Sequence, residues 1–239
     1  MIAHRKALRL YEVNSHTPAG FAPAATPPNL QLLILRLWMP RNKMIQFEIR
    51  ALFTSTTIRV YQAFSDHIAD FALEHGAFGG PFKMTRMSWI KPSFLWMMHR
   101  SGWGQKPGQE RILGIDISRD GFEWALAHST LSHYDPLVHS SKEDWRLTIE
   151  NFPVRIQWDP ERSITSQKQN NRSIQIGLSG KALELYVENW VQSIQEVTGL
   201  AHEIRTKVLR GKMQEAQILL PIERPYPLSK SLRQTIGAN

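Results

Sequence analysis

Four short runs of β-branched and apolar residues, spaced unevenly along the chain, constrain its fold more than any other feature. They predict strands over residues 57–63, 111–117, 154–158 and 172–178. The segments between them differ in length and mix helical patterns with Gly/Pro loops, which is not the regular strand–helix alternation of a parallel sheet. The order predicts an α+β protein: a single domain with a central, mostly antiparallel or split sheet flanked by helices.

Helical periodicity and capping residues predict the remaining elements. Ser179 is expected to cap a long amphipathic helix over about 180–197, and a last helix pair should run through Leu220 before three prolines end it. Three earlier helices are predicted at 66–75 (ended by Gly76), at 92–100, and over 121–131 after a Ser118 cap; a fourth starts with the Ser140–Glu143 capping box and runs through Ile149.

The first 43 residues differ in kind from the rest. They contain six basic residues and one acidic residue, so they contribute +5 to the chain's formal charge of +8. Residues 17–29 include four prolines, a composition typical of extended linkers. We therefore expect a Pro-rich basic extension over 1–43, disordered or preceding the true start, then a single domain over 44–228 and a C-terminal tail over 229–239.

Composition excludes several classes of protein. The chain has no cysteine, which excludes disulfide scaffolds, thiolate chemistry and cysteine-ligated metals, and fits a reducing, cytoplasmic location. No stretch approaches the roughly 20 apolar residues of a membrane span, so no membrane partner is expected. With 42% hydrophobic residues, the chain can bury a substantial core.

The segment Trp89–Gly104 combines aromatic and basic side chains. Three tryptophans recur every seven residues, at 89, 96 and 103, and Lys83–Arg111 holds six basic residues and one acidic residue. Such a pattern can stack on nucleobases while its cations meet phosphates. Alternatively, Trp96 and its neighbours are core. Two glycines around Trp103 indicate a close backbone approach, either to a ligand or to the protein itself.

The strand 172–178 has a polar face. Alternation places Ser173, Gln175 and Gly177 together, opposite Arg172, Ile174 and Ile176. Such a face can line a pocket that needs neutral hydrogen bonding, or face solvent on an edge strand.

Other candidates are weaker. Asp116, at the end of a buried strand, could act as a base or ligand but also as a cap for the next turn. His128, His133 and His139 lack the spacing of a zinc site, and no metal is expected.

Several blocks resemble a bacterial and fungal family catalogued as domain of unknown function 4291. The longest is WIKPSFLWMMHRSGWGQKPGQERIL (89–113); others are IRALF (49–53), TIRVYQAF (57–64), GFEWAL (121–126), LSHYDP (131–136), VRIQWDPER (154–162), RSIQIGLSG (172–180) and LLPIERPYP (219–227). The resemblance spans about 44–227 and implies no activity by itself.

A more distant resemblance concerns the segment VYQAFSDHIADFALEHGAF, whose order is similar to the opening of ADP-ribosyltransferase-like domains. In those domains the first strand presents a histidine or arginine and a late strand often carries a catalytic glutamate. Here Gln62 and Gln175 stand at the corresponding places. The resemblance implies an NAD-binding transferase whose catalytic positions would be these two glutamines.

The nucleotide-binding residues implied by this reading are Tyr61, Trp89, Lys91, Ser93, Arg100, Arg172 and Ser173. Because neighbours on a strand face opposite ways, Tyr61 should be buried while Gln62 faces the ligand. Lys91 should meet a phosphate and Gln175 a ribose hydroxyl.

Three functions from different classes therefore stay open. The first is an ADP-ribosyltransferase-like enzyme that acts on a nucleic acid or protein acceptor. The second is a noncatalytic module that binds nucleotides, RNA or DNA, and the third is an unrelated activity or an interaction protein. A single cleft lined by Gln62, Lys91 and Gln175 would favour the first two.

Overall fold

The structure is a computed structural model and describes residues 46–239. The strands are β1 (Arg50–Ala51), β2 (Thr57–Phe64), β3 (Ser88–Ile90), β4 (Arg111–Ser118), β5 (Ser129–Leu131), β6 (Val154–Arg162), β7 (Lys168–Leu178), β8 (Val191–Glu196) and β9 (Arg224–Pro225). The helices are α1 (Asp66–His75), α2 (Phe94–Ser101), α3 (Arg119–Ala127), α4 (Lys142–Asn151), α5 (Gly180–Leu185), α6 (Thr198–Leu209), α7 (Met213–Ile218) and α8 (Lys230–Ile236), with a π-helical turn at Tyr186–Trp190.

The strands form two main sheets rather than one. One sheet has the order β2-β4-β8 and is antiparallel throughout; the other has the order β3-β7-β6-β5, with only β5 and β6 parallel. An isolated antiparallel bridge between Tyr61 and Lys91 connects them. A short third sheet pairs β1 with β9. The predicted α+β class and the single domain are confirmed, and all four predicted strands are present.

Strand β2 lies between two apolar cores because its alternate residues face opposite ways. Ile58 and Val60 face the larger core, which also contains Ile156, Ile176 and other side chains of the four-stranded sheet. Tyr61 faces the smaller core, which α2 and α6 cover. Gln62 shares the face of Ile58 and Val60, and this places a polar side chain at the margin of the larger core.

The prediction of one long helix over residues 180–197 is wrong. α5 ends at Leu185, the chain widens into the π-helical turn, and residues 191–196 form strand β8. β8 pairs with β4, for instance Ile194 with Ile115, so a tertiary partner overrides the helical spacing of the apolar residues.

Smaller boundaries also differ from prediction. The helix after Ser118 ends at Ala127, because residues 129–131 pair in parallel with β6. Strand β6 continues past Asp159-Pro160 to Arg162, with a register shift beside the proline. Ser141, not Ser140, caps α4 and accepts the Asp144 N–H.

Residues 229–239 are not a tail. Helix α8 packs on α3 and β5, Ile236 is fully buried, and its carbonyl accepts the Trp158 indole N–H at 2.7 Å. The prediction for residues 1–43 lies outside the described residues. None of the helices within residues 46–239 has the length and apolar character needed to cross a bilayer.

Candidate functional site: a cationic cleft between two sheets

A cleft of about 570 Å³ opens where the two main sheets meet. Its walls come from the end of β2, the loop before β3, strand β3 with Lys91, helix α2, the loop at 107–109, and the facing glutamines of β6 and β7. Of the residues predicted for the site, Gln62, Trp89, Lys91, Arg100 and Gln175 all line it. Residues from distant parts of the sequence therefore converge on one concave surface.

Lys91 forms the floor of the cleft. Its main chain closes the bridge between the sheets, since the Tyr61 N–H donates to the Lys91 carbonyl at 2.8 Å. The residue is only 2% exposed, and Nζ lies 3.9 Å from the centroid of the Trp96 ring. Nζ also donates to Oε1 of Gln175. Burial lowers the pKa of Lys91 to about 7, although the nearby Asp159 carboxylate opposes this.

The Gln175 amide is fixed by a hydrogen bond to Asp159. Its Nε2 donates to Asp159 Oδ2 at 2.8 Å, while Gln157 Nε2 donates to the other carboxylate oxygen at 3.3 Å. The register of β6 and β7 puts Gln157 directly opposite Gln175 on one face of the sheet. Burial raises the pKa of Asp159, and the Lys91 charge opposes that rise. The amide Oε1 of Gln175 is thereby oriented toward Lys91.

The polar face of β7 does not belong to an edge strand, because β7 lies between β3 and β6. Gly177 on this face permits a close approach: a Cβ there would lie 2.5 Å from Met87 Sδ and 3.0 Å from the Trp89 ring. The Trp89 ring can therefore pack closely against the backbone of β7 at Gly177 and form one wall of the cleft.

Gln62 lines the cleft, but its amide is already occupied. Nε2 donates to Ser88 Oγ at 2.8 Å and to the Trp89 carbonyl at 3.1 Å, and Oε1 accepts the Tyr186 hydroxyl at 2.8 Å. Both amide hydrogens are used, so Gln62 holds β2, β3 and the π-helical turn together. This argues against the catalytic role expected for it.

Four predicted ligand-binding residues do not line the cleft. Tyr61 is 1% exposed and packs edge-on against Phe94 in the smaller core. Ser93 caps α2 by accepting the Trp96 N–H at 3.2 Å, and Ser173 is buried. Arg172 lies near the start of the described chain, where its N–H donates to the Gln46 carbonyl at 2.7 Å.

Two partly buried glutamates, Glu161 and Glu223, lie beside these serines and the start of α2, and sequence reasoning missed both. Glu223 Oε1 accepts the Phe94 N–H at 2.7 Å, which caps α2 from a distant segment. Burial and the charge of Glu161 raise the pKa of Glu223 to about 8. Burial also raises the pKa of Glu161, while hydrogen bonds from Ser93 and Ser173 oppose that rise. Neither glutamate lines the cleft.

The glycines in the turn after α2 allow it to pack against other parts of the chain, not against a ligand. Gly102, Trp103 and Gly104 have consecutive positive φ angles of 61°, 61° and 74°. Trp103 is 8% exposed and packs on Phe94. A Cβ at Gly104 would lie 2.9 Å from the Glu110 carbonyl oxygen, so the glycine is needed for the loop to fold back.

The other candidate residues, Asp116, His128 and His139, make contacts that stabilise the fold. Asp116 forms a two-point ion pair with Arg59, at 2.6 and 2.7 Å, across β2 and β4. His128 stacks on Trp124, and His139 lies within 3.2 Å of the Thr130 hydroxyl. Over residues 46–239, no cluster of three or more His, Asp or Glu side chains could hold a metal ion.

The charge of the cleft is one-sided. Lys83, Arg86 and Arg100 are exposed at its mouth, and Lys91 lies at its floor. Among the described residues, no carboxylate lines the cleft, and none of these four cations forms an ion pair with one. Sequence reasoning counted Lys83 and Arg86 only as part of a basic stretch, because nothing in their spacing showed which way they point.

The fold and cleft define an α+β protein with a cationic cleft between two sheets. The profile of the family described as domain of unknown function (DUF4291) matches residues 48–226, which is well over half of the chain. The chain therefore belongs to that family. Among curated proteins, none matches it.

Proposed function

We propose that the cleft binds a nucleotide, with NAD as the favoured ligand, and that the protein is an ADP-ribosyltransferase-like enzyme. The observation that carries this proposal is the composition of the cleft lining, which contains four cations, two tryptophans and four glutamines but no carboxylate. A phosphate-bearing aromatic ligand is the class that matches all three kinds of group.

The cations supply the phosphate-binding part of the argument. Arg86 and Arg100 are permanently charged and have no competing carboxylate partner within the described residues, so they are available to an external anion. Guanidinium groups match phosphate oxygens through paired hydrogen bonds. Lys91 is a weaker phosphate ligand than predicted, because burial leaves its amine only partly protonated near neutral pH.

The aromatic and amide groups supply the nucleoside part. Trp89 and Trp96 both line the cleft and offer flat apolar surfaces for a ring. Gln157 and Gln175 present neutral hydrogen-bonding groups on the facing strands, suited to ribose hydroxyls or a carboxamide. The cleft volume of about 570 Å³ lies within the usual range for small-molecule sites.

The architecture supports the finer assignment. Two mostly antiparallel sheets are connected by the Tyr61–Lys91 bridge, with the cleft at their junction. They agree with the split sheet that the order of elements predicts, and such a sheet is compatible with an ADP-ribosyltransferase-like domain. Breaking the nicotinamide–ribose bond of NAD develops positive charge at the ribose, which such an enzyme must tolerate and orient. In this chain Gln175 would hold a ribose hydroxyl, and a nucleic acid or protein would accept the ADP-ribose.

A noncatalytic nucleotide or nucleic-acid binding module is the second candidate. It is favoured by one observation: within the described residues no carboxylate reaches the cleft to stabilise a cationic ribose, and Gln175 can only orient a hydroxyl. A binding module needs no such charge.

Calorimetry with NAD and with a short single-stranded RNA tests the assignment. Arg86→Gln and Arg100→Gln should each weaken NAD binding about ten- to a hundredfold, because a charged hydrogen bond contributes about 1.5–3 kcal/mol. Arg210→Gln, which removes an equal charge from an exposed position outside the cleft, should bind NAD like the wild type.

A parallel assay of nicotinamide release separates the two candidates. Release that depends on Arg86 and Arg100 supports the enzyme. NAD binding without release, or salt-sensitive RNA binding alone, supports the binding module. The cleft is the wrong site if neither ligand binds, or if all three variants match the wild type.

A further inference from the structure

We propose that Lys91 is a nucleophile that captures a phosphorylated aldehyde in the cleft as a reversible imine. This inference concerns the amine rather than nucleotide binding, and it holds or fails independently of NAD. It rests on the position of Nζ, on the groups that surround it and on the cations at the mouth of the same cleft.

The Lys91 amine lies beside two aromatic rings and is accessible from the cleft. The residue is 2% exposed, and Nζ lies 3.9 Å from the Trp96 ring centroid and 6.0 Å from that of Trp89. Lys91 nevertheless belongs to the cleft lining. Burial excludes water from the amine and so favours its neutral form, the condition under which lysines act as nucleophiles. The cation–π contact with the Trp96 ring favours the charged form and opposes this effect.

The hydrogen bond from Nζ to Gln175 also fits this role. Gln175 Oε1 accepts one hydrogen of the amine, and Asp159 and Gln157 fix the other end of that network. No carboxylate bonds directly to Nζ among the described residues, so the amine is oriented without being locked into a salt bridge. A neutral amide acceptor serves equally well for an amine and for a protonated imine.

The charges around the amine have opposing effects. Asp159 on β6 favours the protonated amine, whereas Arg100 on α2 and burial favour the neutral amine. Burial prevails and brings the pKa of Lys91 to about 7. Since an ordinary lysine has a pKa of about 10.4, it is almost wholly protonated at neutral pH, whereas a large fraction of Lys91 is free amine.

The cations at the mouth define the class of ligand. Lys83, Arg86 and Arg100 can hold a phosphate while a carbonyl on the same molecule reaches the floor. Nζ adds to the aldehyde carbon to form a carbinolamine. The carbonyl oxygen then leaves as water with the two amine hydrogens, and a C=N bond remains. The step is a condensation, so it needs no oxidant or reductant.

Reductive trapping tests the proposal. The full chain is incubated with pyridoxal 5′-phosphate or ribose 5-phosphate and cyanoborohydride, and modified lysines are located by peptide mass spectrometry. At pH 7 Lys91 should be labelled at least about tenfold faster than Lys83, which lines the same cleft but is exposed. Pyridoxal without phosphate should label Lys91 at least about tenfold more slowly than its phosphate.

The pH profile adds a second readout. Lys91 labelling by pyridoxal 5′-phosphate should rise through a midpoint near pH 7, the pKa that burial imposes on Lys91. Lys91→Met, which keeps an apolar chain under Trp96, should lose the label; wild-type mapping decides the question if this variant does not fold. Labelling of Lys83 without Lys91, or a midpoint near pH 10, would overturn the proposal. Either result with NAD binding intact leaves the proposed function standing.

Discussion

At the scale of single residues, the hydroxyl of Tyr186 has an importance that its sequence position does not reveal. Tyr186 is fully buried in the π-helical turn, and its hydroxyl donates a hydrogen bond to Gln62 Oε1 at 2.8 Å. Through Gln62 the bond continues to Ser88 and the Trp89 carbonyl. The wall of the cleft is thus fixed by a hydroxyl outside it.

Tyr186→Phe should lower the free energy of unfolding by about 1–3 kcal/mol, because a buried amide oxygen loses its donor. Thermal or urea unfolding measures the loss. Tyr134→Phe is the matched control: the Tyr134 hydroxyl makes no hydrogen bond within residues 46–239, and its ring contacts survive the change. Equal losses in the two variants would contradict this role for Tyr186.

At the scale of elements, the π-helical turn and helix α3 meet at a glycine. A Cβ on Gly121 would lie 2.3–2.7 Å from ring atoms of Trp190, so only glycine lets the two pack. Because the turn leads directly into β8, this contact also fixes where the third strand of its sheet begins.

Gly121→Ala should therefore destabilise the protein by about 1–3 kcal/mol through overpacking. Gly199→Ala offers an informative contrast. Gly199 lies in α6 with open space where a Cβ would be, so alanine there should be neutral or stabilising by up to about 1 kcal/mol. The melting temperature of Gly121→Ala should fall, whereas that of Gly199→Ala should stay the same or rise. A Gly121→Ala variant as stable as the wild type would show that the Trp190 ring can move.

Elements with strong local signals could be predicted from sequence, and those defined by a distant partner could not. Helix α1 and strand β4 carry their own periodicity and end signals, such as Gly76 with φ of 65°. Strand β8 reads Val-Gln-Ser-Ile-Gln-Glu, mostly polar, and is a strand only because β4 offers it a free edge. Strands β3 and β5 are three residues long, too short to show alternation.

The same division applies to the site. Gln175 could be placed in the cleft because it lies on the polar face of a predicted strand, and Lys91 because it lies in the aromatic and basic segment Trp89–Gly104. The alternation of β2 also placed Tyr61 and Gln62 on opposite faces, as observed. The bonds that occupy Gln62, and the Glu161–Glu223 pair behind Ser93, depend on contacts between segments far apart in sequence.

At the scale of the whole molecule, the two ends of the described chain meet. The Phe47 N–H donates to the Asn239 side chain at 2.8 Å, and the Asn239 N–H donates to the Phe47 carbonyl at 3.2 Å. Helix α8, which leads to this contact, buries Ile236 completely. The last eleven residues therefore complete the domain, although the family profile ends before them.

Truncation after Leu228 should lower the free energy of unfolding by at least about 3 kcal/mol, since burial of a residue such as Ile236 alone is worth about 2–5 kcal/mol. Lys230→Ala, a change at the exposed start of α8, should stay within about 0.5 kcal/mol of the wild type. An unchanged melting temperature after truncation would restore the tail interpretation. The expectation that residues 1–43 form a disordered Pro-rich extension stays a prediction: their removal should leave the melting temperature unchanged in the same measurement.

The bridge between the sheets has a consequence for how the floor of the cleft fluctuates. Lys91 is both the backbone partner of Tyr61 and the source of the buried amine, so we expect the amine to become exposed only when the two sheets separate. Local fraying exposes lysines in loops and at the termini to solvent, but it should leave the Lys91 amine buried. We therefore expect reagents from bulk solvent to reach Lys91 through the mouth of the cleft, past Arg86 and Arg100, so that anionic reagents are favoured over cationic ones.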